Sequence, residues 1–191
     1  MKETIKEILE ESIKIKQKVI ETLIPDIEES ANIMINCLKS GNKILVCGNG
    51  GSAADAQHIA GELVGRFQKE RPGLPCIALT TDTSIITAWT NDYEFNSLFA
   101  RQVEALGKPG DVLIGISTSG NSQNIIQSFE KAKEMNIKCV SLLGKDGGKI
   151  KDINYIKKII VPGEITARIQ ESHMVIYHIW CQLIEEGIFH D

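Results

Sequence analysis

The sequence predicts an α/β domain of the doubly wound kind: a three-layer αβα sandwich around a five-stranded parallel sheet, preceded by an N-terminal helical hairpin. Two observations carry this. After residue 42, short and nearly continuous apolar runs recur with helical stretches between most of them, which is the pattern of parallel strands covered on both faces. Before residue 42 the apolar residues step by three and four instead, the spacing of amphipathic helices.

The elements follow in order. Ile5, Ile8, Leu9, Ile13, Ile20, Leu23 and Ile24 form a first helical stripe, Pro25-Asp26 interrupts it, and Ile27, Ala31, Met34, Ile35 and Leu38 continue a second. Ser40-Gly41-Asn42 closes this hairpin. Strands are expected over 43–47, 76–79, 112–116, 139–143 and 156–161, a helix over 52–67 and a last long helix over 165–186. With no repeat, low-complexity tract or linker, residues 1–191 read as one domain, the hairpin taking 1–40 and the α/β core 41–191.

Composition narrows the function. A chain of 191 residues that is 42% hydrophobic can bury one substantial core. A formal net charge of -4 argues against a general nucleic-acid binder, which needs a basic surface. Five cysteines, Cys37, Cys47, Cys76, Cys139 and Cys181, are odd in number, far apart and mostly in apolar segments, so they read as reduced core thiols and point to a cytoplasmic setting. Met1-Lys2-Glu3-Thr4 has no signal-peptide pattern, and no apolar run approaches the roughly 20 residues of a membrane span, so a soluble protein is expected.

Ser117-Thr118-Ser119-Gly120-Asn121-Ser122 crowds four hydroxyls between a buried strand and a helix start. The first N–H groups of such a helix are unpaired and partly positive, so hydroxyls and backbone together suit a phosphate; an ordinary helix cap is the plainer reading. No lysine stands in the turn to meet a polyphosphate, which favours a monoester such as a sugar phosphate. The first strand ends in a second turn, Gly48-Asn49-Gly50-Gly51-Ser52-Ala53. It superficially fits a dinucleotide fingerprint, but Asp82 comes too late to be the acidic partner. A sugar phosphate bridging two strand ends accounts for both turns. His58 and Glu62 stand four apart on one helix face, close enough for acid/base work or joint metal ligation, or merely for a solvated surface. The last helix carries Arg168, Gln170, Glu171, His173 and His178 among apolar residues; the plain readings are a satisfied core histidine for His178 and a surface position for His173.

Taken together, Cys47 to Ser52, the His58 and Glu62 pair, Asn91-Asp92, Ile116 to Ser122, Lys145-Asp146-Gly147-Gly148 and Ala167-Arg168-Ile169-Gln170-Glu171 resemble the phosphoheptose isomerases of the sugar isomerase (SIS) domain superfamily, nearly end to end. The resemblance implies a flavodoxin-like core and interconversion of sedoheptulose 7-phosphate and glycero-manno-heptose 7-phosphate, an early step toward the nucleotide heptose of bacterial surface polysaccharide. It implies a homotetramer that binds zinc.

Position by position, the resemblance makes Glu62 the catalytic base and His178 the catalytic acid. Moving a proton between C1 and C2 through an enediol needs one group to take a carbon-bound proton and another to protonate oxygen. It makes His58, Glu62, Gln170 and His178 zinc ligands. It makes Asn49, Gly50, Gly51, Ser52, Glu62, Asn91, Asp92, Ser117, Thr118, Ser119, Ser122 and Gln170 substrate contacts. Ala167 departs from relatives that carry an Asp there. Two rival readings come from the same superfamily: a non-catalytic tetrameric regulator that binds the replication initiator, and a sugar-phosphate sensor. Neither needs Glu62 together with His178. Helix geometry adds one expectation: Gln170 and His178 are too far apart along one helix to share a metal easily, so sites completed across subunits are expected.

Overall fold

The structure, a computed structural model, describes residues 1–189. Two helices, α1 (Lys2–Thr22) and α2 (Ile24–Lys39), precede the core. They are joined through Leu23, and Pro25 sits in the first turn of α2, where its missing N–H costs no hydrogen bond. There follow β1 (Ile44–Gly48), α3 (Gly51–Val64), β2 (Cys76–Ala78), α4 (Thr83–Asp92), α5 (Leu98–Leu106), β3 (Val112–Ser117), α6 (Gln123–Glu134), β4 (Lys138–Gly144), β5 (Ile156–Val161) and α7 (Thr166–Ile188). Short 3₁₀ turns precede α5 and link β4 to β5.

All strand pairs are parallel and the order is β2-β1-β3-β4-β5. Val46, Ile114, Val140 and Ile159 point into one core with α2, α3 and α7, while Leu45, Leu113, Cys139 and Ile156 point into a second core with α5 and α6. Burial on both faces is why these strands read as unbroken apolar runs rather than alternating ones. The chain winds one way from β1 to β2 and the other way from β3 onward. The crevice for a ligand therefore opens between the carboxyl ends of β1 and β3. The two turns singled out by their glycines and hydroxyls stand at those two strand ends. All five cysteines are buried and unpaired. No helix among the described residues is long and apolar enough to cross a membrane.

Two expectations change. The stripe is real as helix but mostly does not face the core: Ile5, Ile8, Leu9, Ile13 and Ile20 of α1 and Ile24 at the start of α2 are exposed, while Leu23 of the stripe is buried together with Ile15 and Val19, which it left out. With apolar residues on more than one side of the helix, periodicity cannot choose the side; α7 does. Ser12 Oγ donates to Glu171 Oε2 at 2.7 Å and Arg168 donates to the Ile8 carbonyl, which sets the rotation of α1. The helix expected over 52–67 stops at Val64. Arg71 folds back there, its guanidinium donating to the carbonyls of Glu62, Leu63 and Gly65 and so satisfying the helix end.

Candidate active site

The β1 and β3 turns are locked to each other. Asn49 Nδ2 donates to Asn124 Oδ1 and Asn124 Nδ2 donates to Asn49 Oδ1, both at 2.9 Å, across the crevice. Asn124 is buried and its Oδ1 also accepts from the Ile125 N–H. In the hydroxyl turn, Ser117 and Ser122 share a hydrogen bond of 2.9 Å, and Ser119 Oγ accepts from the Asn121 N–H. Ser122 occupies the N-cap of α6, yet no side chain caps that helix, and none caps α3 after Gly50. By contrast Asp82 caps α4 by accepting from the Ile85 N–H. The plain capping reading thus fails for Ser122, whose hydroxyl faces Ser117 rather than the helix. Gly120, at φ +65°, is required because a side chain would run into the Gly147 carbonyl. The loop after β4 clasps the turn from that side: Ile150 N–H donates to the Gly120 carbonyl and Lys149 N–H to Asn121 Oδ1.

Further along α3, His58, Glu62 and His178 converge. His58 Nε2 lies 2.9 Å from Glu62 Oε1 and 3.4 Å from His178 Nε2, and one ligand atom from each residue lies within 4.8 Å of the others. All three side chains are half-buried. Burial holds the His178 imidazole below the usual histidine pKa, His58 adds to this, and Glu62 opposes it. On its other side His58 Nδ1 is 3.0 Å from the Tyr177 hydroxyl, which also reaches Asp55 Oδ1 at 3.4 Å. Burial raises the pKa of Asp55, while the Tyr177 hydrogen bond and His58 work against the rise.

Two imidazoles and a carboxylate suit zinc, and ligands on a tetrahedral zinc lie about 3.3 Å apart, close to the spacings here. The trio could hold a metal ion. Gln170 packs at the start of α3. Its amide packs on Gly51, where an added Cβ would lie 2.5 Å from Nε2. That is the first turn of α3, about 10 Å along the helix from His58. Gln170 instead stands beside the strand-end turns with Asn49, Gly50, Gly51 and Ser52. Asn91 and Asp92 end α4, exposed, with Asn91 Nδ2 donating to Asp92 Oδ1; no hydrogen bond ties them to the other site residues within the described chain. His178 is not a core residue, since it is half-buried beside His58. His173, expected at the surface, is fully buried: Nε2 pairs with the Leu143 carbonyl at 2.8 Å, and burial pushes its pKa down to about 4.

Sequence reasoning missed the supports. Arg71 and Glu185 form a buried ion pair at 2.9 Å that pins the loop after α3. Glu185 also accepts the N–H groups of Phe67, Gln68 and Lys69. Burial alone would raise the Glu185 pKa, and these donors together with Arg71 bring it below the ordinary value. Asp55 precedes His58 by one turn on the same face of α3, a spacing that could have drawn attention to it. A groove of about 840 Å³ between α1 and the end of β5 contains none of the site residues.

Residues 8–144 match the SIS domain family. The chain is 54% identical over 181 residues to a phosphoheptose isomerase of Trichlorobacter lovleyi, covering 95% of this chain and 92% of that one. It is 57% identical over 182 residues to one of Nitratiruptor sp., covering 95% and 96%. Among solved structures, a phosphoheptose isomerase from Neisseria gonorrhoeae superposes with a TM-score of 0.90 at 45% identity, covering 96% of this chain and 98% of that one. One from Francisella tularensis gives 0.93 at 41%, covering 96% and 97%. The two strand-end turns, the trio on α3 and α7 and these full-length likenesses agree: the chain belongs to the SIS domain family, among its phosphoheptose isomerases.

Proposed function

We propose that this chain interconverts sedoheptulose 7-phosphate and D-glycero-D-manno-heptose 7-phosphate by acid/base chemistry through an enediol, in the cytoplasm, early in the supply of nucleotide heptose for surface polysaccharide. The observation that carries the reading is the approach of Glu62 to His58 and His178 within 4.8 Å, on the helix that starts at the β1 turn. The substrate phosphate sits in the Ser117, Thr118, Ser119 and Ser122 turn, where hydroxyls and the α6 N-terminus donate to it. Asn49, Gly50, Gly51, Ser52 and Gln170 line the sugar beside it, and Asn91 and Asp92 contribute from α4. Glu62 takes the carbon-bound proton and His178 delivers one to oxygen, the exchange that shifts the carbonyl between C2 and C1.

His58, Glu62 and His178 would hold zinc, with Gln170 as a further ligand from another chain, and the ion would polarise the sugar carbonyl. A metal-bound Glu62 is a weaker base, so the two roles compete for one carboxylate. The assembly is a homotetramer, supported by the apolar residues that α1 leaves exposed. The test is product formation from sedoheptulose 7-phosphate by the purified chain, with and without a chelator. Turnover abolished by the chelator and restored by Zn²⁺ makes the metal essential; turnover that survives chelation assigns the reaction to Glu62 and His178 alone. No product under either condition sinks the proposed activity.

A further inference from the structure

The pair formed by Asp55 and Tyr177, behind His58, has no part in the chemistry above. Tyr177 is fully buried and Asp55 is 7% exposed. Asp55 Oδ2 has no hydrogen-bond partner, and among the described residues the Tyr177 hydroxyl is the one donor that reaches the carboxylate, 3.4 Å from Oδ1. That hydroxyl has a single proton and two acceptors competing for it, Asp55 Oδ1 and His58 Nδ1 at 3.0 Å. Distance alone favours His58. Burial decides otherwise: a hydroxyl turned to His58 strands a buried carboxylate without any donor, and an unsatisfied buried charge costs more than a lengthened hydrogen bond. The opposite edge of the ring is forgiving, because the Glu62 and His58 side chains are 24% and 39% exposed and water can serve Glu62 there.

We propose that Asp55 and Tyr177 are positioning residues that fix His58 as the Nδ1–H tautomer. Asp55 holds the Tyr177 proton, the phenolic oxygen accepts Nδ1–H, and the Nε2 lone pair is turned toward Glu62 and His178. A ligating histidine is commonly oriented in this way by a partner on its other nitrogen. With the lone pair on Nε2, the 2.9 Å approach of Glu62 Oε1 sets two acceptors face to face. A cation between them relieves that contact. The arrangement thus prepares the trio for a metal instead of an internal hydrogen bond. This deepens the metal reading and rests on it only for the affinity measurement below.

The experiment uses the full chain labelled with ¹⁵N-histidine, stripped of metal, with the imidazole nitrogens read by NMR and Zn²⁺ affinity read by chelator competition. The wild-type chain is expected to show His58 protonated at Nδ1. Tyr177→Phe, which removes one oxygen, should move that proton to Nε2 and weaken Zn²⁺ binding about 10- to 100-fold. Should Tyr177→Phe fail to fold by circular dichroism, Asp55→Asn serves in its place: its amide can donate as well as accept, so it should leave a mixture of tautomers. A wild-type His58 protonated at Nε2, or a tautomer unchanged in the folded variant, overturns the proposal. A wild-type chain that binds no Zn²⁺ but whose tautomer still switches in the variant removes the metal reading and upholds the role of Asp55 and Tyr177.

Discussion

Gln170 rests on Gly51, not on His178, although Gln170 and His178 share α7. Eight residues separate them, about 12 Å of helix, so a single chain offers each to a different part of the crevice. If a site draws Gln170 from one chain and His178 from another, mixing inactive His178→Asn with inactive Gln170→Ala chains, after subunit exchange confirmed by native mass spectrometry, should restore part of the activity. Exchange without recovery would place both residues in the same site of one chain.

Glu62→Gln keeps the shape of the side chain and removes its basicity, so turnover should fall by at least about 10²-fold with the circular dichroism spectrum unchanged. His178→Asn should cost about 10²- to 10⁴-fold. Near wild-type rates in either variant would take that residue out of the proton transfers.

Ser119→Ala with Ser122→Ala removes two hydroxyls from the β3 turn while leaving the α6 N–H groups in place. Phosphate contacts are much the same in ground and transition states, so KM should rise while kcat changes little. A fall in kcat at unchanged KM would move the phosphate to another part of the crevice.

His173 gives a pH signature far from the chemistry. Its folded-state pKa of about 4 lies below the ordinary histidine value of 6.5, so between these values the unfolded chain binds a proton that the folded chain refuses. Stability contributed by the neutral, buried imidazole is therefore complete above the unfolded value and is lost as pH falls toward about 4, by up to about 3 kcal/mol. Urea unfolding at pH 7 and pH 5 should show a loss for the wild type that His173→Gln reduces. Equal losses in both would show that His173 carries none of the pH dependence.

Much of the site was legible in the sequence because local chemistry signals it locally. Strand-to-helix turns require glycine and hydroxyls at fixed offsets, and an i,i+4 pair such as His58 and Glu62 shares a helix face whatever surrounds it. The unbroken apolar runs likewise announced a sheet covered on both faces. Tertiary structure decided what spacing cannot encode. It made His173 a core residue and His178 a half-buried partner of His58, because only the packing of α7 on the sheet and on α3 determines which side of α7 is enclosed. It turned α1 so that Ile15 and Val19 face inward, since an apolar helix has no single inner face until α7 supplies one. It also assembled Asn49 with Asn124, Asp55 with Tyr177 and Arg71 with Glu185. The first and last pairs meet across 75 and 114 residues and the second across 122, and contacts of that range come from the winding of the sheet, which no short sequence window contains.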